Sequence, residues 1–194
     1  MIEPNEPAIA EPLRDCRLCA SAFGFAPRPI VRLSTRAPIL IISQAPGARA
    51  HKSGVPFDDP SGSRLQDWLG LRPEQFFAPD TLSIAPMGFC FPGHDRAGGD
   101  KLPPSICRET WHSNVLAALP ATRLTLVIGA LAHRAMLGTR APMTQTVADW
   151  RAHAPRLFPL PHPSWRNSAW LKRNPWFEAE VLPALRARVR DVLA

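Results

Sequence analysis

No stretch of this 194-residue chain approaches the roughly eighteen consecutive apolar residues of a membrane-spanning helix, so no membrane partner is expected. No secretory leader is expected either. Residues 1–7 are acidic and proline-rich, where a leader would be basic and then apolar, and the expectation is a cytoplasmic protein. There is no internal repeat and no compositional break, so residues 1–194 read as one domain, expected to be a monomer. At 45% hydrophobic, a chain of this length can bury one sizeable core. Lysine is scarce: only three of the 23 basic residues are lysine, against 16 acidic residues, for a formal charge of +7. That surplus suits a polyanionic partner, with nucleic acid first, and equally suits an arginine-rich bias spread over a solvated surface. Arg186, Arg188 and Arg190 read as the solvated face and dipole-matching end of a helix.

Proline, in contrast, is abundant. The chain has 23, more than double the average share of roughly 5%. They fall between apolar segments and so mark rigid connections, not a disordered tail. Four short bounded apolar runs, at 39–42, 82–85, 124–128 and 157–160, suit buried parallel strands. Helical spacing fills the intervals. Residues 61–69 follow Ser61 as a candidate cap, 105–119 carry Trp111, Val115 and Leu116 on one face, and 130–137 follow a glycine turn. Asn174 and Pro175 read as cap and first position of a last helix through Leu193. The predicted fold is α/β, a three-layer sandwich around a four-stranded, mainly parallel sheet. Residues 92–104 form the one long loop, expected to be mobile.

Two strand ends carry the polar residues. The first apolar run leads into Ser43-Gln44-Ala45-Pro46-Gly47, and the last into Pro161-His162-Pro163-Ser164. In an open α/β sheet the carboxyl rim is where ligands bind, so the two turns predict one shared cleft. The four cysteines are ordered Cys16-x2-Cys19, Cys90, Cys107. In a cytoplasmic chain that favours a metal over disulfides. A zinc ribbon normally shows two close pairs, whereas seventeen positions separate Cys90 from Cys107. Four thiolates from a short N-terminal segment and a distal loop suit a [4Fe–4S] cluster; the other reading is that some of them are buried small apolar residues.

With these motifs in this order, the chain resembles the uracil-DNA glycosylase superfamily, specifically its iron–sulfur branches, families four and five. The resemblance runs from Cys16 to about Phe177 and implies a DNA repair enzyme that flips a damaged base and hydrolyses its N-glycosidic bond, with damaged single- or double-stranded DNA as partner. It implies that Cys16, Cys19, Cys90 and Cys107 hold a structural [4Fe–4S] cluster. It implies that Phe57 stacks on the extruded base beside Ala45 and Gly47 of the first turn. Phe57 also reads as an ordinary core aromatic. His162 matches the histidine that donates to the departing base. Ser164 would meet a phosphate, Trp165 and Arg166 would fill the gap left by the flipped nucleotide, and Asn167 completes His-Pro-Ser-x-x-Asn, closer to family five.

The chain departs from the family in two places. Family four has a glutamate where this chain has Gln44, and family one an aspartate where it has Ala45. Gln44 can orient a water or a base but cannot take a proton. Family five is thought to use an aspartate in Asp-x-Ser-Gly, which here is Asp59-Pro60-Ser61-Gly62, so Asp59 is the candidate for positioning the water or stabilising the sugar cation, or simply an acid at a helix start. The asparagine that family four places shortly before its third cysteine is also missing from Ala85-Pro86-Met87-Gly88-Phe89. These departures leave open a lesion-binding or abasic-site-binding protein of the same fold with little hydrolysis. A variant of that reading traps the sugar covalently with His94. A third reading is an iron–sulfur protein acting on a nucleotide or another small anion.

Overall fold

The computed structural model describes residues 5–194; part of the acidic start on which the leader reading rests, residues 1–4, lies outside them. Two short helices, α1 (Ala10–Arg14) and α2 (Ala20–Phe23), precede the first strand, β1 (Ile39–Ile42). Helices α3 (Ala48–Ser53), α4 (Pro60–Leu69) and α5 (Pro73–Phe77) then lead to β2 (Leu82–Ile84). After the long loop come α6 (Ser105–Ala117), β3 (Leu124–Ile128), α7 (Ala130–Leu137) and α8 (Met143–Ala148). Strand β4 (Leu157–Leu160), α9 (Ser168–Arg173) and α10 (Leu182–Leu193) complete the chain.

The strands form one four-stranded sheet in the order β2-β1-β3-β4, with every pairing parallel. Its register places Ile41 beside both Ile84 and Leu126, and Leu126 beside Phe158. Successive residues of β1 point to opposite faces. Ile39 and Ile41 join a core with Leu65 and Trp68 of α4 and with Leu185 and Val189 of α10. Leu40 and Ile42 join a second core with Leu13 of α1, Val115 of α6 and Ala132 of α7. Helices therefore cover both faces, and strands covered on both sides are mostly apolar, as these runs are, with Ser83 and Thr125 their polar members. The predicted three-layer α/β sandwich is the fold observed.

Local details differ from the sequence reading. Helix α4 starts at Pro60, and its cap is Asp59, not Ser61. The last helix opens with a wide turn, Phe177–Val181, before α10. The side chain of Asn174 caps nothing there: its Nδ2 donates to the Trp170 carbonyl (2.8 Å), and its Oδ1 accepts from the Trp176 indole (3.2 Å).

Two buried histidines brace the sheet from the α6–α7 side. Nε2 of His112 lies 3.1 Å from the carbonyl of Ala85, and Nε2 of His133 lies 3.0 Å from that of Val127. Burial pushes the pKa of both below the ordinary histidine value of 6.5. As pH falls below that value, the unfolded chain therefore binds more protons than the folded one, and stability drops with pH. Thermal unfolding should show Tm decreasing from about pH 7.5 to about pH 5. A Tm that is level across that range would refute the neutral, buried assignment.

Candidate active site and cysteine pocket

The carboxyl ends of β1 and β4 open onto a cleft of about 390 Å³. From the first turn it is lined by Ser43, Ala45 and Gly47, and from the segment before α4 by Phe57 and Asp59. His162, Ser164, Trp165 and Arg166 line it from the turn after β4. The two strand-end motifs thus share one site, as their sequence positions predicted.

His162 is held in one chemical form. The backbone N–H of Ser164 donates to its Nδ1 (3.2 Å), so Nδ1 keeps its lone pair and the proton of the neutral ring sits on Nε2. Burial lowers the His162 pKa, while Asp59 and Asp100 nearby pull it the other way. The turn itself is fastened twice. Asn167 donates from Nδ2 to the His162 carbonyl (2.7 Å), and Nη1 of Arg64 reaches the carbonyls of Pro163 (3.3 Å) and Ser164 (3.1 Å). Asn167, which completes the His-Pro-Ser-x-x-Asn motif and by that resemblance is expected to contact DNA, also braces His162 from inside the protein. Arg64 was not picked out from the sequence, where it reads as one more exposed arginine on a helix.

Asp59 is both helix cap and cleft residue. Its Oδ1 accepts from the backbone N–H of Gly62 (2.9 Å), satisfying one of the free amides at the start of α4. Gly62 is needed there because the chain folds back tightly: a Cβ on it would stand 1.8 Å from the Phe57 carbonyl oxygen. Phe57 itself has φ of +57°, the left-handed region, and packs edge-on against the buried Phe76 at 6.3 Å. A bulky residue rarely adopts that conformation, and such strain collects at functional sites.

Gln44 does not line the cleft. Its Nε2 donates to the carbonyl of Lys101 (3.3 Å), so it clasps the long loop instead of orienting a ligand. That loop, expected to be mobile, closes on itself as a small hairpin. His94 and Asp100 form an antiparallel bridge, and Asp95 Oδ1 accepts from the N–H groups of Ala97 (2.9 Å) and Gly99 (2.8 Å). Arg166 donates from Nη2 to the Gly98 carbonyl (2.9 Å), tying the hairpin to the turn after β4. His94 and Asp100 are thereby brought to the cleft wall. The sequence offered no periodicity that would have located Asp100. The Asp95-to-Gly99 spacing, an Asx-type turn, was the one available signal. Trp165 stands 73% exposed at the rim with the Arg166 guanidinium 5.8 Å from its ring centre.

Residues 31–186 match the Uracil DNA glycosylase superfamily. The chain belongs to that superfamily. Membership carries a DNA glycosylase-type function, with DNA as the partner; among the described residues no helix is long and apolar enough to cross a membrane. The matched span includes both strand-end motifs, Phe57, Asp59 and His162, as well as Cys90 and Cys107, and begins after Cys16 and Cys19.

The four cysteines all line a second pocket of this glycosylase fold, between the N-terminal helices and the start of α6. Cys19, Cys90 and Cys107 are buried. The other walls are apolar, including Leu13, Phe23, Pro27 and Phe89. Two N–H groups already point at sulfur: the Trp111 indole at Cys16 (3.3 Å) and the Phe89 amide at Cys107 (3.4 Å). Burial, reinforced by the neighbouring thiols, pushes the Cys90 pKa up to about 12 and that of Cys107 to about 11. Among the described residues no group of three or more His, Cys, Asp or Glu side chains is arranged to hold a metal ion.

Proposed function

We propose that this chain is a DNA repair glycosylase that hydrolyses the N-glycosidic bond of uracil or another deaminated base. The base would flip into the cleft at the ends of β1 and β4 and rest against Phe57. The observation that carries this reading is His162, a neutral imidazole with its proton on Nε2, beside a carboxylate in the same cleft. Breaking the bond leaves positive charge on the sugar and negative charge on the base. The free oxygen of Asp59 faces the sugar charge, and the Nε2–H of His162 meets the charge on the base. Ala45 and Gly47 leave room and backbone groups for the base edge. Among the described residues no amide side chain lines the cleft to select uracil, so other deaminated bases belong to the substrate class.

The same reading takes in a [4Fe–4S] cluster on Cys16, Cys19, Cys90 and Cys107. Four soft donors around one apolar pocket, with N–H groups already directed at two sulfurs, suit such a group by the chemistry of the donor set. Bound there, it would serve as a staple joining the N-terminal helices to α6 and would supply no redox step to base excision.

A second reading, lesion binding with little hydrolysis, draws support from Gln44, which replaces an acid and turns away from the cleft toward Lys101. A gel assay separates the two. Oligonucleotides carrying uracil, single- and double-stranded, should be cut after alkali if the base is excised. A shifted band without alkali-revealed cleavage would overturn excision and leave binding. In the same assay Trp165→Ala should weaken binding to uracil-containing duplex by about tenfold and to undamaged duplex much less, since stacking is worth roughly 1–3 kcal/mol per base. Equal losses on both would reduce Trp165 to a general contact.

A further inference from the structure

Only one of the two carboxylates facing the cleft was anticipated, and it is half-committed to capping α4. The other, Asp100, has a different partner. Its Oδ1 lies 3.1 Å from Nδ1 of His94. A carboxylate there requires Nδ1 to carry the proton, which leaves the lone pair of the neutral ring on Nε2. Both side chains line the same cleft as His162. An ordinary surface pair is held by two flexible side chains and is worth little. This one is fixed by its surroundings. The two backbones bridge, Gly93 O accepts from Lys101 N–H (2.9 Å), and Gln44 and Arg166 clasp the hairpin from the two strand-end turns. The His94 ring packs edge-on against buried Phe91 at 5.0 Å. Asp100 Oδ2 faces the first turn, 3.8 Å from where a Cβ on Gly47 would stand.

We propose that His94 and Asp100 form a dyad that activates the hydrolytic water, with His94 as catalytic base and Asp100 as its positioning residue. The inference rests on the glycosylase reading above and names the proton acceptor which that reading lacks. The water oxygen bonds to C1′ of the sugar, and one water proton passes to Nε2 of His94. The C1′–N bond breaks, and its electron pair leaves with the base, met by the Nε2–H of His162. His94 then releases its proton to solvent, from which the base regains one. Asp100 holds the tautomer and faces the imidazolium as it forms. The two histidines do opposite work because their Nδ1 atoms have opposite partners. An amide N–H at Nδ1 makes His162 a donor at Nε2, and a carboxylate at Nδ1 makes His94 an acceptor there.

Single-turnover excision from a uracil-containing single-stranded oligonucleotide tests this, with affinity followed by fluorescence anisotropy. His94→Ala should slow excision by about 10²-fold, at the lower end of general-base contributions, with affinity changed less than about twofold. Added imidazole should restore at least about tenfold of that loss, because a free base can replace the missing one, which a structural role would not allow. Asp100→Asn should slow excision at unchanged affinity, without rescue by imidazole. Both residues are half-exposed on a loop, so neither variant endangers folding. If the wild type excises uracil and His94→Ala does so equally fast, the dyad is overturned and the glycosylase reading stands. A protein–DNA adduct that survives denaturation would make His94 a nucleophile and overturn its role as base. Wild-type protein that binds the oligonucleotide but excises neither uracil nor hypoxanthine overturns both.

Discussion

His162→Ala should lower the single-turnover rate of base excision by roughly 10²–10³, the usual cost of losing one preorganised donor to a developing anion. The size of the effect follows from how the donor is prepared. Ser164 N–H occupies Nδ1, burial keeps the ring neutral, and Asn167 and Arg64 fix the turn that carries it. No reorganisation is then needed as the base departs. His162→Gln, which keeps an N–H donor, should recover part of the loss. The contrasting substitution is Asp59→Asn. Asparagine caps a helix about as well as aspartate, so Tm should barely move. The neutral amide no longer faces the sugar's positive charge, however, and excision should slow. A His162→Ala protein that excises at the wild-type rate would remove His162 from the chemistry. A fall in Tm with Asp59→Asn would show its carboxylate to be structural first.

The legible part of this molecule is the part governed by period and by strand ends. Ile39–Ile42 is buried on both faces and Leu124–Ile128 is nearly so, broken only by the half-buried Thr125, so their sequences are largely apolar runs, and the parallel α/β sheet follows. His162 was legible because a histidine between prolines at a strand end has few other reasons to be there. Gln44 was placed on the right turn but given the wrong partner, and nothing in the sequence signalled that Asn167 also donates to the His162 carbonyl. An amide side chain satisfies a ligand or a neighbouring carbonyl equally well, and only tertiary packing decides between them. Asp100 was legible only so far as the Asx-type turn from Asp95 to Gly99 marks a hairpin. Its place at the cleft wall depends on the clasps from Gln44 and Arg166, contacts that span many residues and leave no local pattern. The same limit explains Asp59, whose capping role and cleft position coexist: the sequence framed them as alternatives, and the fold gives one residue both places.

Protein purified anaerobically should be brown, absorb near roughly 400 nm and carry about four irons per chain, as an all-cysteine cubane requires. Cys107→Ser should abolish the colour and unpin the N-terminal region. The expected size of that effect comes from where the four thiols lie. Cys16 and Cys19 lie between α1 and α2, small helices of five and four residues that cannot hold themselves in water. Leu13 of α1 packs into the core against α6, yet little else fastens α2, and none of its residues is buried. Cys90 and Cys107 sit at the two ends of the segment that carries His94 and Asp100. A cluster across these four would tie the N-terminus to α6 and fix both ends of the loop that completes the cleft. Its loss should therefore show in three measurements: iron content, protease sensitivity before β1, and a slower excision rate through a displaced Asp100. Replacement at Cys16 should act alike, since the staple fails whichever end is cut. Stoichiometric zinc without iron would refute the cluster. Full iron content in Cys107→Ser would refute the ligand assignment while leaving the cleft chemistry untouched, because His162 and Asp59 are positioned by β4 and α4 and not by the cysteine pocket.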